Sequence, residues 1–367
     1  MPVPVPRPEV PIETPEQFGA EMFGPVLFAF MVWLMRHPAM RHLDRLYFAS
    51  REGWALEGLY NALRGPSGIA RLPPAVYLHC SRRAVLAAQL GASVAAGRLD
   101  PSLLTSSSPW FEGTVEELLR ARIGFVAAAE AIPGSRIVLM RDAAIVHCVA
   151  ELMADEIAPH VLRAHAGFVS YAERHDMLGG GRADLVDVGY SATMQAAIQK
   201  TLGIRLVGFY MATTNAAQKV GEDGGYAFGA FAEGAAATRF GGEFGLFLEA
   251  VLSAPHGQVI GYAAPGEAGE PAQGEPQGEP LFDTGGAAQR AFATLERIHA
   301  GIRAHCLERM ATHGLQPDAD PFAPLRRLGE GSVKLAAEIR QALFVEDAFC
   351  GNGEIDVLAR AAAGQAS

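Results

Sequence analysis

The chain has 367 residues, half of them hydrophobic and 19% charged, with a formal charge of -10 at pH 7. That length and balance suit a globular protein with a sizeable core, built as one large domain or two ordinary ones. The negative balance argues against general nucleic-acid binding, which leaves a basic footprint. Four scattered cysteines without a C-x-x-C pair argue against a disulfide framework or zinc site, and for a reducing, cytoplasmic setting.

Residues 1–17 read as an N-terminal tail, proline-rich at Met1–Pro8 and unlike a signal peptide. Thr14-Pro15-Glu16-Gln17 opens a helix, with Thr14 as N-cap, Pro15 at the first helical position and Gln17 placed to close a capping box. The apolar run Phe23–Met35, about 13 residues, is shorter than the roughly 20 a bilayer requires. It predicts a buried helix ending at Pro38 and no transmembrane segment, with peripheral membrane contact as the alternative. Leu43–Ala49 predicts a buried strand, Trp54–Arg64 a helix, and Ala75–Cys80 a second strand.

From Arg83 to Arg182 the pattern is mainly helical, with a capping box at Thr114–Glu117 and a segment, Ile137–Met140, that suits strand or helix. After the turn Gly179-Gly180-Gly181, Asp184–Val188 predicts a strand, broken at Gly189. A helix to Gly203 and a strand at Arg205–Met211 follow. This alternation predicts an α/β fold with a mainly parallel sheet and helices on both faces. Residues 263–285, where Gly-Glu-Pro recurs at 269, 274 and 278, read as a flexible loop. The rest, 286–367, reads as helical. Phe292, Leu295, Ile298 and Ile302 mark one amphipathic helix, and Val333, Ala336, Ile339 and Leu343 another.

Four constellations carry chemistry. In Leu46–Trp54 an apolar strand delivers Ser50, Arg51 and Glu52 to its carboxyl end before Gly53, the end at which open α/β sheets bind ligands. Ser50 and Glu52, two apart, point to one side; an ordinary turn with an Arg51–Glu52 ion pair accounts for the same residues. In Leu185–Gln195, Asp187 ends a strand, Gly189 permits close backbone approach, and Ser191 and Thr193 open a helix. Such a turn can cradle phosphate, with Asp187 holding Mg²⁺, or Ser191 can be a simple N-cap. Cys80-Ser81-Arg82-Arg83 pairs two arginines at a strand end, suited to an anion or to surface ion pairs. His256, in a loop bounded by Pro255 and Gly257, is an acid–base candidate or a structural loop histidine. P-loop, dinucleotide, nucleophile-elbow and zincin motifs are absent.

The segments FGPVLFAFMVWL (23–34), LYFASREGWAL (46–56), YLHCSRRA (77–84), LVDVGYSATMQ (185–195) and LSAPHG (252–257) resemble a bacterial family of predicted haloacid-dehalogenase (HAD) superfamily hydrolases. That family is associated with capsule and lipopolysaccharide biosynthesis and is sometimes fused to glycosyltransferases. The resemblance covers most of 18–262 and implies a HAD-like Rossmannoid domain with a helical cap-like insertion at about 83–182. It places Ser50 at the nucleophile, Glu52 at the acid/base and a Mg²⁺ ligand, Ser81 at the phosphate-binding hydroxyl and Asp187 at the metal-binding acid. Arg82, Arg83 and Lys200 compete for the third-motif cation. The implied ligand is a phosphorylated sugar or nucleotide-sugar, and the implied partner a glycosyltransferase. Serine where HAD enzymes have aspartate removes the carboxylate that attacks phosphorus, although the family admits serine there. Phosphate-ester recognition is thus the expectation, ahead of hydrolysis, with a non-catalytic binding module or a sugar transferase as alternatives.

Overall fold

A computed structural model describes residues 10–127, 134–179, 183–264 and 278–364. The short apolar segments form five strands: β1 (Arg45–Ala49), β2 (Ala75–Leu78), β3 (Ala183–Asp187), β4 (Val207–Thr213) and β5 (Tyr226–Glu233). They pair in the order β2-β1-β3-β4-β5, every neighbour parallel. The helices that matter for the site are α1 (Pro15–Arg36), α2 (Gly53–Arg64), α3 (Arg82–Ala95), α4 (Ala154–Arg174), α5 (Thr193–Leu202), α6 (Leu246–Val251) and α7 (Phe292–His313).

Alternation along the strands explains the layering. Leu46 and Phe48 enter a core shared with α1, α2 and α7, whereas Tyr47 and Ala49 enter one shared with α3, α4 and α5. Leu185 and Val186 divide in the same way. A parallel sheet needs both faces covered, and the predicted helices on both sides are present. Helix α1 is long and apolar enough to cross a bilayer by composition, yet 83% of its most apolar window is buried. Its N-terminus differs slightly from expectation: Thr14 Oγ1 accepts from Gln17 N–H at 3.1 Å, but Gln17 Oε1 accepts from Glu13 N–H, one residue outside the capping box.

Gln195 fastens α5 to the sheet. Gln195 Nε2 donates to the carbonyls of Leu206 (2.9 Å) and Tyr226 (3.0 Å), and its Oε1 accepts from Tyr210 Oη at 2.9 Å. Gly208 makes this approach feasible, since a Cβ there would stand 2.1 Å from Gln195 Oε1.

Two departures concern the chain ends. Residues read as an N-terminal tail include a strand, Val10–Ile12, paired in parallel with Val333–Leu335. The spacing Val333, Ala336, Ile339, Leu343 is therefore not one amphipathic helix. It divides into that strand, a short helix Ala337–Ala342, and Phe344–Glu346, which forms a hairpin with Glu354–Asp356. The apolar side chains still face the core, but paired backbone competes with helix over so short a span. Most of 263–285, with its Gly-Glu-Pro repeats, lies outside the described residues, as does part of the glycine turn at 179–181.

The segment 83–182 also divides. Helices α3 and α4 at its ends pack against the sheet, while their outer faces and the chain between them enclose a separate core that includes Leu104, Leu118 and Ile137. Ile137 belongs to a strand, Arg136–Val138, antiparallel to Glu112–Thr114. At its centre Arg122 is fully buried. It donates to the carbonyls of Leu104, Ser108 (2.8 Å) and Trp110 (3.2 Å), and its guanidinium lies 5.0 Å from the Phe349 ring. Burial lowers its pKa to about 10, so it stays cationic at neutral pH. Replacing Arg122 by Met leaves these carbonyls unpaired and is expected to cost about 3 kcal/mol of unfolding free energy in urea titrations. A loss below about 1 kcal/mol would mean that the carbonyls find other donors.

Candidate functional site

The chain leaves β1 to form β2 on one side, and β3 lies on the other. The crevice at the carboxyl ends of β1 and β3 is thus a topological switch point, where such sheets bind ligands. Ser50 leaves β1 buried, its Oγ donating to Cys80 O (2.6 Å) and accepting from Cys80 N–H (3.0 Å). The Ser50–Arg51 peptide is cis. Gly53 then lets α2 start against the strand, because a Cβ there would stand 2.6 Å from the Phe48 carbonyl carbon. Arg51 does not pair with Glu52; its Nη1 donates to Glu346 Oε2 at 2.7 Å, in the C-terminal hairpin.

Glu52 and Asp187 come together as the sequence predicts. Asp187 Oδ1 accepts from Gly189 N–H at 3.2 Å, and its pKa rises to about 6 through burial and the neighbouring Glu52 carboxylate. A third carboxylate was not anticipated. Glu249 on α6 sits one turn beyond Gly245, which the buried Tyr190 hydroxyl approaches so closely that a Cβ would be 2.8 Å away. The Glu249 carboxyl is pushed up to about 8, first by burial and then by Glu52, with Arg82 acting in the opposite sense. Tyr190 Oη has no hydrogen-bond partner among the described residues. Asp347, beyond the hairpin strand, adds a fourth acid, 3.7 Å from Arg82 Nη2. Glu249 carried a readable signal, since a lone acid in the apolar run LFLEAVL is costly unless used. Asp347 carried none, because only long-range folding brings it here.

Arg82 also lines a cavity of about 290 Å³ with Gln89, Ser107, Ser191, Thr193, Lys200 and Lys219. Helix α5 begins here without a side-chain cap: Ala192, at φ +50°, occupies the N-cap position, and Ser191 Oγ instead meets Thr214 Oγ1 at 3.2 Å. The first-turn N–H groups, which no helix satisfies internally, are left for an acceptor. One arginine, two hydroxyls and a helix N-terminus therefore share one wall, beside the carboxylates.

The other predicted residues are placed elsewhere. Ser81 is occupied as the N-cap of α3, accepting from Ala84 N–H (3.0 Å) and donating to Val259 O (2.6 Å), so its hydroxyl serves structure. Arg83 turns away against Gly124, with its Nε buried and unpaired among the described residues. Gly189 shapes the Asp187 turn through its N–H. His256 Nδ1 donates to Gly257 O and Nε2 accepts from Tyr77 Oη, each at 2.8 Å. Both nitrogens being engaged, and burial lowering its pKa, His256 is a neutral loop histidine. Lys200, a candidate third-motif cation, lies at the far end of the cavity, 4.0 Å from Glu222.

A scan against models of known protein families gives no match, and neither does a search of curated proteins.

The raised acids make stability depend on pH. The folded protein keeps a proton on Glu249 that the unfolded chain releases above the ordinary value of 4.5, so stability falls as pH climbs from there to about 8. Glu249→Gln is expected to melt with the native chain near pH 4 and at a higher temperature at pH 8, measured in EDTA. A melting difference that does not vary with pH would show that Glu249 ionises as it does in water.

Proposed function

We propose that this chain is a HAD-like protein that recognises a phosphate ester, most simply a phosphorylated sugar, and does not hydrolyse it through Ser50. The observation that carries this reading is Arg82, placed on the cavity wall with Ser191, Thr193 and the open α5 N-terminus, and beside Glu52 and Asp187. A guanidinium, hydroxyls and free amides are the donor set a phosphate dianion requires. The strand order and the position of Ser50, Glu52 and Asp187 around one crevice support the HAD-like assignment. A role in surface-polysaccharide assembly, alongside a glycosyltransferase, follows from the sequence resemblance alone.

Covalent hydrolysis lacks its nucleophile. The Ser50 hydroxyl is hydrogen-bonded on both sides to Cys80, and the interactions leave it no base. For Mg²⁺, no three His, Cys, Asp or Glu side chains among the described residues form a cage. Mg²⁺ needs none, since one or two carboxylates with phosphate oxygens and water suffice. Glu52 and Asp187 would hold it, and the ion would neutralise charge between the acids and the phosphate.

Isothermal titration with glucose 1-phosphate, with and without Mg²⁺, tests the reading. Binding is expected, weakened at least about tenfold by Arg82→Ala, as loss of a charge-assisted pair predicts. No phosphate release is expected across a panel of phosphate esters. Steady Mg²⁺-dependent turnover lost in Glu52→Gln and Asp187→Asn would instead make the protein a hydrolase. Label passing from a nucleotide-sugar to an acceptor would make it a transferase.

A further inference from the structure

We infer that the ligand of this cavity carries two anionic groups, one at each end of a spacer about the length of a hexose. The inference rests on the phosphate-recognition reading above and specifies the ligand. The cavity's cations are not gathered in one place. Arg82, Ser191 and Thr193 stand at its carboxylate end, whereas Lys200 and Lys219 stand at the other, where α5 runs out against residues 215–223. Thr193 and Lys200 are both on α5, and at a rise of about 1.5 Å per residue they lie roughly 10 Å apart along it.

Glu222 lines the cavity too, 4.0 Å from Lys200, so its lining there carries two lysines and one carboxylate, one positive charge in excess. A single phosphate at Arg82 leaves that charge unused. A diphosphate does not resolve it, because its phosphorus atoms share a bridging oxygen and cannot reach both ends. Phosphates on the first and last carbons of a six-carbon sugar can, and so can a sugar 1-phosphate oxidised to a carboxylate at the last carbon.

The wall between the two ends suits such a spacer. Gln89 and Ser106 offer hydrogen bonds to hydroxyls, and Val85, Leu86 and Met194 offer apolar surface to ring carbons. A volume of about 290 Å³ falls at the small end of ligand sites, which suits a sugar with two charged ends.

The test is calorimetry on the full chain with four probes: glucose 1-phosphate, glucose 1,6-bisphosphate, galacturonate 1-phosphate and inorganic pyrophosphate. One of the two doubly anionic sugars is expected to bind at least tenfold more tightly than glucose 1-phosphate, and the tighter one names the second anion. Lys200→Met and Lys219→Met should each remove most of that advantage, whereas Arg82→Ala should weaken singly and doubly anionic sugars alike. The inference is overturned if all three sugars bind equally, if pyrophosphate binds as tightly as the best sugar, or if the lysine variants weaken every ligand by the same factor. Equal binding leaves phosphate recognition standing; absence of binding by every probe removes that reading as well.

Discussion

Glu52 raises the cost of ionising both Asp187 and Glu249, two carboxyls that burial already penalises. Much of the surrounding structure answers this concentration of negative charge. Arg82 is aimed between the carboxylates and the cavity, and it lowers the pKa of both Asp187 and Glu249. Arg51 is held outside the cluster by Glu346. The hairpin that supplies Glu346 continues into Asp347 and then Phe349, whose ring has the guanidinium of Arg82 on it at 5.0 Å and that of Arg122 at the same distance. Crevice, C-terminal hairpin and the separate core between α3 and α4 are thereby joined through one aromatic ring. The C-terminal third, which adds little to the sequence resemblance, is part of the site.

The strands at 45–49, 75–78, 183–187 and 207–213 were legible because buried parallel strands are continuous apolar runs bounded by turn residues. Tyr226–Glu233 was not, since YAFGAFAE is rich in alanine and glycine and lacks β-branched residues; its partner β4 makes it a strand. The meeting of Ser50, Glu52, Arg82 and Asp187 was legible because each sits at the exit of a strand, and parallel strands bring their exits to one edge. Glu249 and Asp347 come from a helix and a hairpin outside the sheet, and no local pattern fixes where those dock.

Ser81 and His256 show where motif reading exceeds the physics. A serine before a helix has a competing use as N-cap, and Ser81 serves it, adding a bond to Val259 O that binds α3 to the strand Val259–Tyr262. A loop histidine between tyrosine and a backbone carbonyl satisfies both nitrogens and has no free lone pair with which to take a proton. Ser191 presents the reverse case. Read as a simple cap, it is not one: the N-cap position falls on Ala192, in the left-handed region that costs a residue with a side chain about 1–3 kcal/mol. Such a turn persists where the surroundings fix it. Here the Ser191–Thr214 contact and the Thr214 N–H bond to Tyr190 O do so, and the helix N-terminus is left open to the cavity.

Ser50 can be understood from the same constraints. The group at this position must accept from Cys80 N–H and donate to Cys80 O, and a hydroxyl does both through one oxygen. An ionised carboxylate accepts only. Placed here it would set a negative oxygen against the Cys80 carbonyl and add another charge to a crevice where burial and like charges already raise Asp187 and Glu249. Restoring the aspartate of a phosphohydrolase would therefore require the β1 exit to separate from Cys80 and a cation to be present before the loop could hold the new charge. The serine is in this sense a consequence of how the crevice is built. A loop whose polar group is committed to joining β1 and β2 is suited to holding a phosphate ester nearby, and poorly suited to attacking it.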